Sequence, residues 1–582
     1  MPPKTAKAAL EAPPRPSNTV GERLVALSEP AHYLSLVAGL AVLLYLTRHT
    51  WFFNDEFAFF ARMQPGHSLG LLVPYQEQWS TVPLLLTLGL YKLVGLHSVL
   101  PYDVWTILTH LVVVHLLWRW MRRVGTDPWV ATALAAVFLV VGGGAEELSI
   151  WFQVTFEMSV ALGLIGALLV DHDGQGKARD VGFWPIAVIG LMCSNVGVFM
   201  VVLGGLVALL RRGPAAALRV VSVPALVFLA WLVLIAHGAP SSTPTPLGDL
   251  WLLAQYVWIG VTAALDNTTG WVGTGAVLIL VMAAWLYRER RQARGPKALA
   301  FAGALTAPAF FIGVGLARVA AGTSGAGSTR YGYVCIALLL PAAGLALSRI
   351  CARSAVVGRT LVIAASGGWV VNGVASLLGL LQFLSPLSGA AQSTTLGVAR
   401  LLAEGAPLAV GNGVSVAPWS PGLTVDTLRS IIQARAWPTN LPVTDQDLLD
   451  AAAYVQVSVT PTPLTPSGTP PSVLPEFRPL VSSDGGDCVS LAVLGGQPEI
   501  GLSFASSGWV EIIAAGSGDA SVQLAWATTP GVLTAAQPEV LPAGSSYLNI
   551  TAAGTIAMLT LPTGSERLCG VSMTGTTVGS DP

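Results

Sequence analysis

From residue 31 to residue 380 this chain of 582 residues is a succession of apolar runs separated by short turns, most runs being about 15–20 residues long. A helix needs about 20 apolar residues to cross a hydrocarbon core of about 30 Å, and it satisfies its own backbone there. The pattern predicts a polytopic α-helical membrane protein. Only 10% of the residues are charged, against about 25% in soluble domains, which excludes a soluble body. No basic cluster is interleaved with aromatics, so nothing points to a nucleic-acid partner.

Charge orients the runs. Residues 387–582 hold 14 of the 31 acids and 5 of the 30 Lys and Arg, which leaves −9 on this tail and +8 on the rest. Basic turns belong on the cytoplasmic side, so the tail is expected outside. Residues 1–30, with Lys4, Lys7, Arg15 and Arg23 among Pro, Ala and Ser, read as a cytoplasmic lead without the features of a secretory signal. A first span at about 31–50 then places residues 51–79 outside. The next run, 82–96, is short for a crossing. Laid along the outer surface, it leaves Arg119, Arg122 and Arg123 in the cytoplasm; a crossing would leave them outside. The remaining spans are expected at about 103–120, 129–144, 153–170, 181–194, 196–210, 217–236, 271–287, 298–317, 331–349 and 356–376. That gives about 11 transmembrane helices, with the N-terminus in and the C-terminus out.

Four domains follow: the lead 1–30, a membrane body 31–380 with an outer loop and juxtamembrane helix at 51–102, a mixed and linker region 381–472, and a β domain 473–582. After Cys488, short runs with β-branched residues alternate with Gly, Pro and Ser turns, the pattern of an extracytoplasmic β-sandwich-like domain. Cys488 and Cys569 flank it, and a disulfide between them suits an outer compartment. Cys193, Cys335 and Cys351 read as packing residues of the spans.

Unusual charge gathers on the outer face. The stretch 51–79, WFFNDEFAFFARMQPGHSLGLLVPYQEQW, packs Asp55, Glu56, His67 and Glu77 among aromatics at the edge of a span, where acids are costly without a role. A second outer turn carries Glu146 and Glu147, and a third ends in STRYGY with Arg330 and Tyr331. By contrast, His110 and His115, five apart, are a poor metal pair and read as packing. Asp171, His172 and Asp173 read as a solvated cytoplasmic turn, and 237–271 as a long outer loop.

FNDEFAFF after the first span, the surface run TVPLLL to KLVGLH, the many-spanned body and the RY pair opening a late span together resemble the GT-C superfamily of polytopic glycosyltransferases. The resemblance covers about residues 31–380 and implies a polyprenyl-phosphate-linked sugar as donor. Asn-Asp-Glu stands where the family's acidic motif is a bare Asp-Asp or Asp-Glu. The C-terminal domain looks like the carbohydrate-binding modules of actinobacterial cell-wall arabinosyl- and mannosyltransferases, with Trp509, Trp526 and Tyr547 as a glycan platform or as core.

Chemistry independently asks for a carboxylate to deprotonate the acceptor hydroxyl and a cation to offset the leaving phosphate. Asp55 is the best base, and the resemblance points to the same residue; its alternative is a helix cap. Glu56, one residue on, cannot share its helix face and either orients it or points away. His67, Gln76, Glu77 and Trp79 are candidates to hold an acceptor sugar, and Glu146 or Glu147 to hold acceptor or a divalent cation. Arg330, with Tyr331, is read either as a phosphate clamp or as an interfacial anchor. No cofactor follows from the sequence. The expected partners are the polyprenyl-phosphate-sugar donor, a cell-envelope glycan or lipid acceptor, and membrane lipids. Two other classes stay open: a non-catalytic glycan-binding scaffold, and a lipid or solute transporter in which Glu157 would be the intramembrane charge.

Overall fold

The computed structural model describes residues 25–52, 54–63, 70–174, 177–236, 250–353, 355–417, 420, 422–438, 441–461, 463–464, 469–483, 487–491, 499–514, 518–526, 534–535, 539–541, 544–552, 555–561 and 567–573. Its helices in chain order are α1 (Ser28–Thr47), α2 (Asp55–Arg62), α3 (Thr81–Val94), α4 (Leu100–Val124), α5 (Pro128–Leu139), α6 (Ala145–Ser149), α7 (Val154–Val170), α8 (Lys177–Leu191) and α9 (Val196–Arg212). They continue as α10 (Pro214–Leu234), α11 (Leu250–Thr269), α12 (Thr274–Glu289), α13 (Ala298–Arg318), α14 (Thr329–Arg353), α15 (Ala355–Ala403), α16 (Val425–Gln433) and α17 (Asp445–Val455).

Among the described residues seven helices are long and apolar enough to cross a membrane, or up to nine if each of two bent pairs is one crossing. The bent pairs are α5 with Gly142–Ser149, at 46°, and α11 with Thr274–Gln292, at 110°. The expected eleven exceeds the upper count by two. The excess is α8 and α9, of 15 and 17 residues. Polar Lys177, Arg179 and Asp180 open α8, Pro185 interrupts it, and Arg211 and Arg212 close α9, so little apolar length remains. Within the expected outer loop 237–271, residues 250–269 are helical, and 237–249 lie outside the described residues. The run Leu250–Thr269 is apolar through most of its length, with Asp266 and Asn267 confined to its last turn.

The chain separates into two compact units, one of residues 1–46, 74–80 and 104–380, the other of 47–73, 81–103 and 381–582. In the first unit the basic turns gather at one end of the helical bundle. Arg123 pairs with Asp171, Arg359 with Asp127, and Lys297 and Arg349 with Glu289. At the other end the Thr106 hydroxyl donates to the Trp151 carbonyl and the Asn195 amide to the Glu77 carbonyl. There α14 passes against the turn Gly142–Gly144 so closely that a Cβ on Gly332 would lie 2.0 Å from the Gly143 carbonyl. Glycine is required at that crossing.

In the second unit α3 is an apolar helix of 14 residues, short of a crossing. The strands are β1 (Val457–Thr460), β2 (Ser472–Val473), β3 (Val481–Ser483), β4 (Cys488–Leu491), β5 (Glu499–Phe504), β6 (Gly508–Ala514), β7 (Gly518–Trp526), β8 (Thr534–Ala535), β9 (Glu539–Leu541), β10 (Gly544–Ile550), β11 (Thr555–Thr560) and β12 (Arg567–Cys569). One antiparallel sheet runs β1-β10-β6-β12-β4-β3 and another β2-β5-β11-β7-β8, with β9 also on β7. Alternate residues of both sheets, Val510, Ile512, Leu548 and Ile550 from one and Ile500, Leu502, Phe504 and Leu559 from the other, share one buried core. Cys488 and Cys569 face each other across β4 and β12 and form a disulfide.

Candidate active site

Asp55 opens α2. The residue before it, Asn54, has φ 55° and ψ −132°, a conformation few side chains tolerate, and its side chain makes no capping bond. Aromatic packing holds the helix from behind. Phe52 meets Phe60 and Tyr102 edge to face at 5.5 and 5.3 Å, Phe60 lies 5.8 Å from Tyr91 of α3, and Phe57, Phe59 and Phe60 are fully buried. On the same helix a Cβ at Gly422 would sit 2.4 Å from the Ala58 Cα, so the 415–424 segment closes on α2. Glu56 is buried. Asp55 is half-buried and makes no hydrogen bond or ion pair with any described residue. Asp55 thus stands in the first turn of α2, where a carboxylate suits the exposed amides, without a capping bond to a described residue, and the turn and aromatic packing fix its backbone.

The first unit has a cavity of about 250 Å³ lined by Glu77, Asn195, Arg318, Tyr331 and the rings of Phe156, Phe199, Phe228 and Phe310. Its polar rim is built. Tyr75 and Gln78 exchange backbone bonds of 2.9 and 2.8 Å across a tight turn whose tip, Gln76, has φ 51°. Beyond that tip the Glu77 carboxylate accepts from Arg318 at 3.1 Å, and the Asn195 Oδ1 is buried without a described partner. Arg330 lies 5.1 Å over the Tyr331 ring with its Nε buried and without a partner among the described residues.

The two adjacent glutamates separate in role. Glu146 Oε2 accepts from the Ser328 and Thr329 hydroxyls at 2.7 and 3.2 Å and from the Arg330 N–H at 3.1 Å, capping α14 from another segment. Glu147 is fully buried, and neither of its carboxylate oxygens has a described partner. Glu157 is in the same position, 4.0 Å from His110 Nδ1. The Leu139 carbonyl can only accept, so His110 Nε2, at 3.1 Å, carries a proton, and in the neutral ring Nδ1 accepts from the Tyr333 hydroxyl at 3.0 Å. Among the described residues no group of three or more His, Cys, Asp or Glu could hold a metal ion.

The remaining sequence candidates disperse. His67 lies outside the described residues. Trp79, expected to stack on a sugar, stacks instead on Trp231, rings parallel at 4.9 Å, and only 6% of it is exposed. Trp509 and Tyr547 do meet, edge to face at 5.3 Å on β6 and β10, while Trp526 belongs to β7 of the other sheet. Partial burial and then the neighbouring Glu511 carboxylate push the Tyr547 phenol above its usual range. The expected solvated turn at 171–173 is corrected in part: Asp171 and His172 are buried, Asp171 held by Arg123 and Arg211 and His172 placed 3.4 Å from Asp180, while Asp173 is exposed. Sequence reasoning missed Asn54, whose strain has no signature, and Arg318, a single basic residue ending a span.

No protein-family model matches this chain, and no curated protein does. Among solved structures it is similar to ArnT from Cupriavidus metallidurans bound to undecaprenyl phosphate, with a TM-score of 0.41 and 13% identity, covering 73% of this chain and 92% of that one. It is similar also to the Archaeoglobus fulgidus oligosaccharyltransferase tethered to an acceptor peptide, with a TM-score of 0.38 and 13% identity, over 64% of this chain and 57% of that one. Likenesses this loose assign neither fold nor activity, which rest on the chain's own helices and side chains.

Proposed function

We propose that this is an inverting glycosyltransferase of the GT-C type its sequence resembles, moving a sugar from a polyprenyl-phosphate donor to a cell-envelope glycan or lipid. Arabinofuranose and mannose are the first sugars to try, because the resemblance runs to actinobacterial cell-wall enzymes. The chain sits in the plasma membrane with its N-terminus inside and its C-terminal domain outside. In the reaction the acceptor oxygen bonds to the anomeric carbon, the bond from that carbon to phosphate oxygen breaks, Asp55 takes the acceptor proton, and polyprenyl phosphate leaves. Arg330 offsets the charge of the leaving phosphate. The observation that supports this reading is the Asp55 carboxylate, without a partner among the described residues, at the start of a helix fixed by a strained Asn54 and a buried aromatic cluster.

Transfer by purified protein in nanodiscs, given synthetic polyprenyl-phosphate arabinose or mannose and short wall oligosaccharides, tests it. Wild type forms product, folded Asp55→Asn forms none, and Arg330→Ala forms much less. The edge-to-face Trp509 and Tyr547 pair favours one other reading, a glycan-binding scaffold without catalysis. That reading requires that no donor yields product and that Asp55→Asn changes nothing.

A further inference from the structure

The second unit contains a larger cavity, about 730 Å³, within the size range of small-molecule sites. Its floor is apolar, from α15, α16 and the segment before α17. Its polar lining is His97, Arg400, Glu404 and Arg435, with Trp437 beside them. Residues 387–582 contain only five basic residues against 14 acids, and two of those five line this one cavity. Arg400 is bonded to Glu404 at 2.6 Å. Arg435 is exposed, and its side chain has no hydrogen bond or ion pair among the described residues.

The backbone makes Arg435 more telling. It follows the end of α16 with φ 56°, while its N–H donates to the Ile432 carbonyl and the Ala436 N–H to the Ile431 carbonyl. That is the left-handed helix-ending turn in which glycine is preferred. The chain keeps an arginine there against the conformational preference, and the guanidinium faces a cavity rather than a partner. The site is also tied to the Asp55 helix. Past the end of α3, the Leu96 N–H donates to the Ala436 carbonyl at 2.7 Å, and α3 contacts Phe60 of α2 through Tyr91.

We propose that this cavity binds an anionic saccharide, a sugar bearing a carboxylate or phosphate, with Arg435 meeting the anion, the Arg400–Glu404 pair meeting ring hydroxyls, and the largely buried Trp437 offering only an edge to the ring. It rests on the glycosyltransferase reading only in making this saccharide part of the acceptor, so that the cavity selects which glycan is modified. Neutral sugars lack the negative charge that Arg435 would meet, and an uncharged lipid tail leaves that guanidinium unmet.

Calorimetric titration of the full-length protein in zwitterionic nanodiscs tests this with three probes: hyaluronan tetrasaccharide, mannose 6-phosphate and neutral cellotetraose. The two anionic probes bind, more weakly as salt rises, and cellotetraose does not. Arg435→Gly suits the left-handed turn, so it melts no lower than wild type while raising the Kd of the anionic probes roughly tenfold or more. Arg435→Lys stays within roughly threefold of wild type. Anionic probes that bind Arg435→Gly as well as wild type, or bind neither, overturn the inference. Transfer activity separates the two claims: sugar transfer without anion binding sinks the cavity alone, and anion binding that depends on Arg435 without transfer from any donor sinks the enzyme alone.

Discussion

Helix α7 carries buried acids at both ends, about 20 Å apart, and the fold treats them in opposite ways. At the C-terminal end Asp171 is bonded by Arg123 and lies 2.9 Å from Arg211, while Asp180 of α8 meets Arg212 at 2.8 Å, Arg219 at 3.1 Å and His172 at 3.4 Å. The same arginines satisfy the helix's last carbonyls, Arg212 on Val170 and Arg123 on Asp171. At the N-terminal end Glu157, with Glu147 nearby in the fold, is fully buried and has no donor among the described residues. Paired buried charges act as a fastening, because removing one partner strands the other. An unpaired buried carboxyl is a standing cost that membrane proteins keep where it serves a function.

The contrast breaks most visibly at its paired end. Asp180→Ala strands Arg212 and Arg219 and is expected to cost about 3–5 kcal/mol, read as a large fall in melting temperature in detergent or as failure to accumulate folded protein. An unchanged melting curve would show that this cluster fastens nothing. Arg123→Met should cost less, about 1–3 kcal/mol, because Arg211 still holds Asp171 and the Arg123 side chain is half exposed. Glu146→Ala removes a helix cap rather than a charge cluster and should cost about 1 kcal/mol. A drop as large as that of Asp180→Ala would move Glu146 to the fastened class.

Much of this was legible in the sequence, and the limits have physical causes. Apolar length and basic turns give the membrane class, and the turns that share excess Lys and Arg do converge on one end of the bundle. Period-two burial gives the β domain. The expected span number exceeds the seven to nine long apolar helices because a run such as 196–210 has the hydropathy of a crossing while a turn at Asn195 and two arginines at its end set its length. The partner of a buried charge is invisible for a related reason. Asp171 and Arg211 are forty residues apart, and which of several basic turns meets an acid is decided by helix packing. Asp55 was singled out by its aromatic neighbours, a local signal. Arg318 and Asn54 had none.

Glu157→Gln is the smallest expected change in stability and the sharpest test of the comparison. Glutamine keeps the shape of the side chain and removes the possibility of a buried charge, so folding should stay within about 1 kcal/mol of wild type or improve. A residue kept only by chance would leave the proposed sugar transfer untouched by this change. One kept for function through the His110 and Tyr333 network should lower the transfer rate roughly tenfold or more, about 1.4 kcal/mol in the barrier, while the melting curve holds. Destabilisation on the scale of Asp180→Ala, with transfer lost only in proportion to folded protein, would instead mean that Glu157 is fastened like Asp180. The two ends of α7 would then be alike.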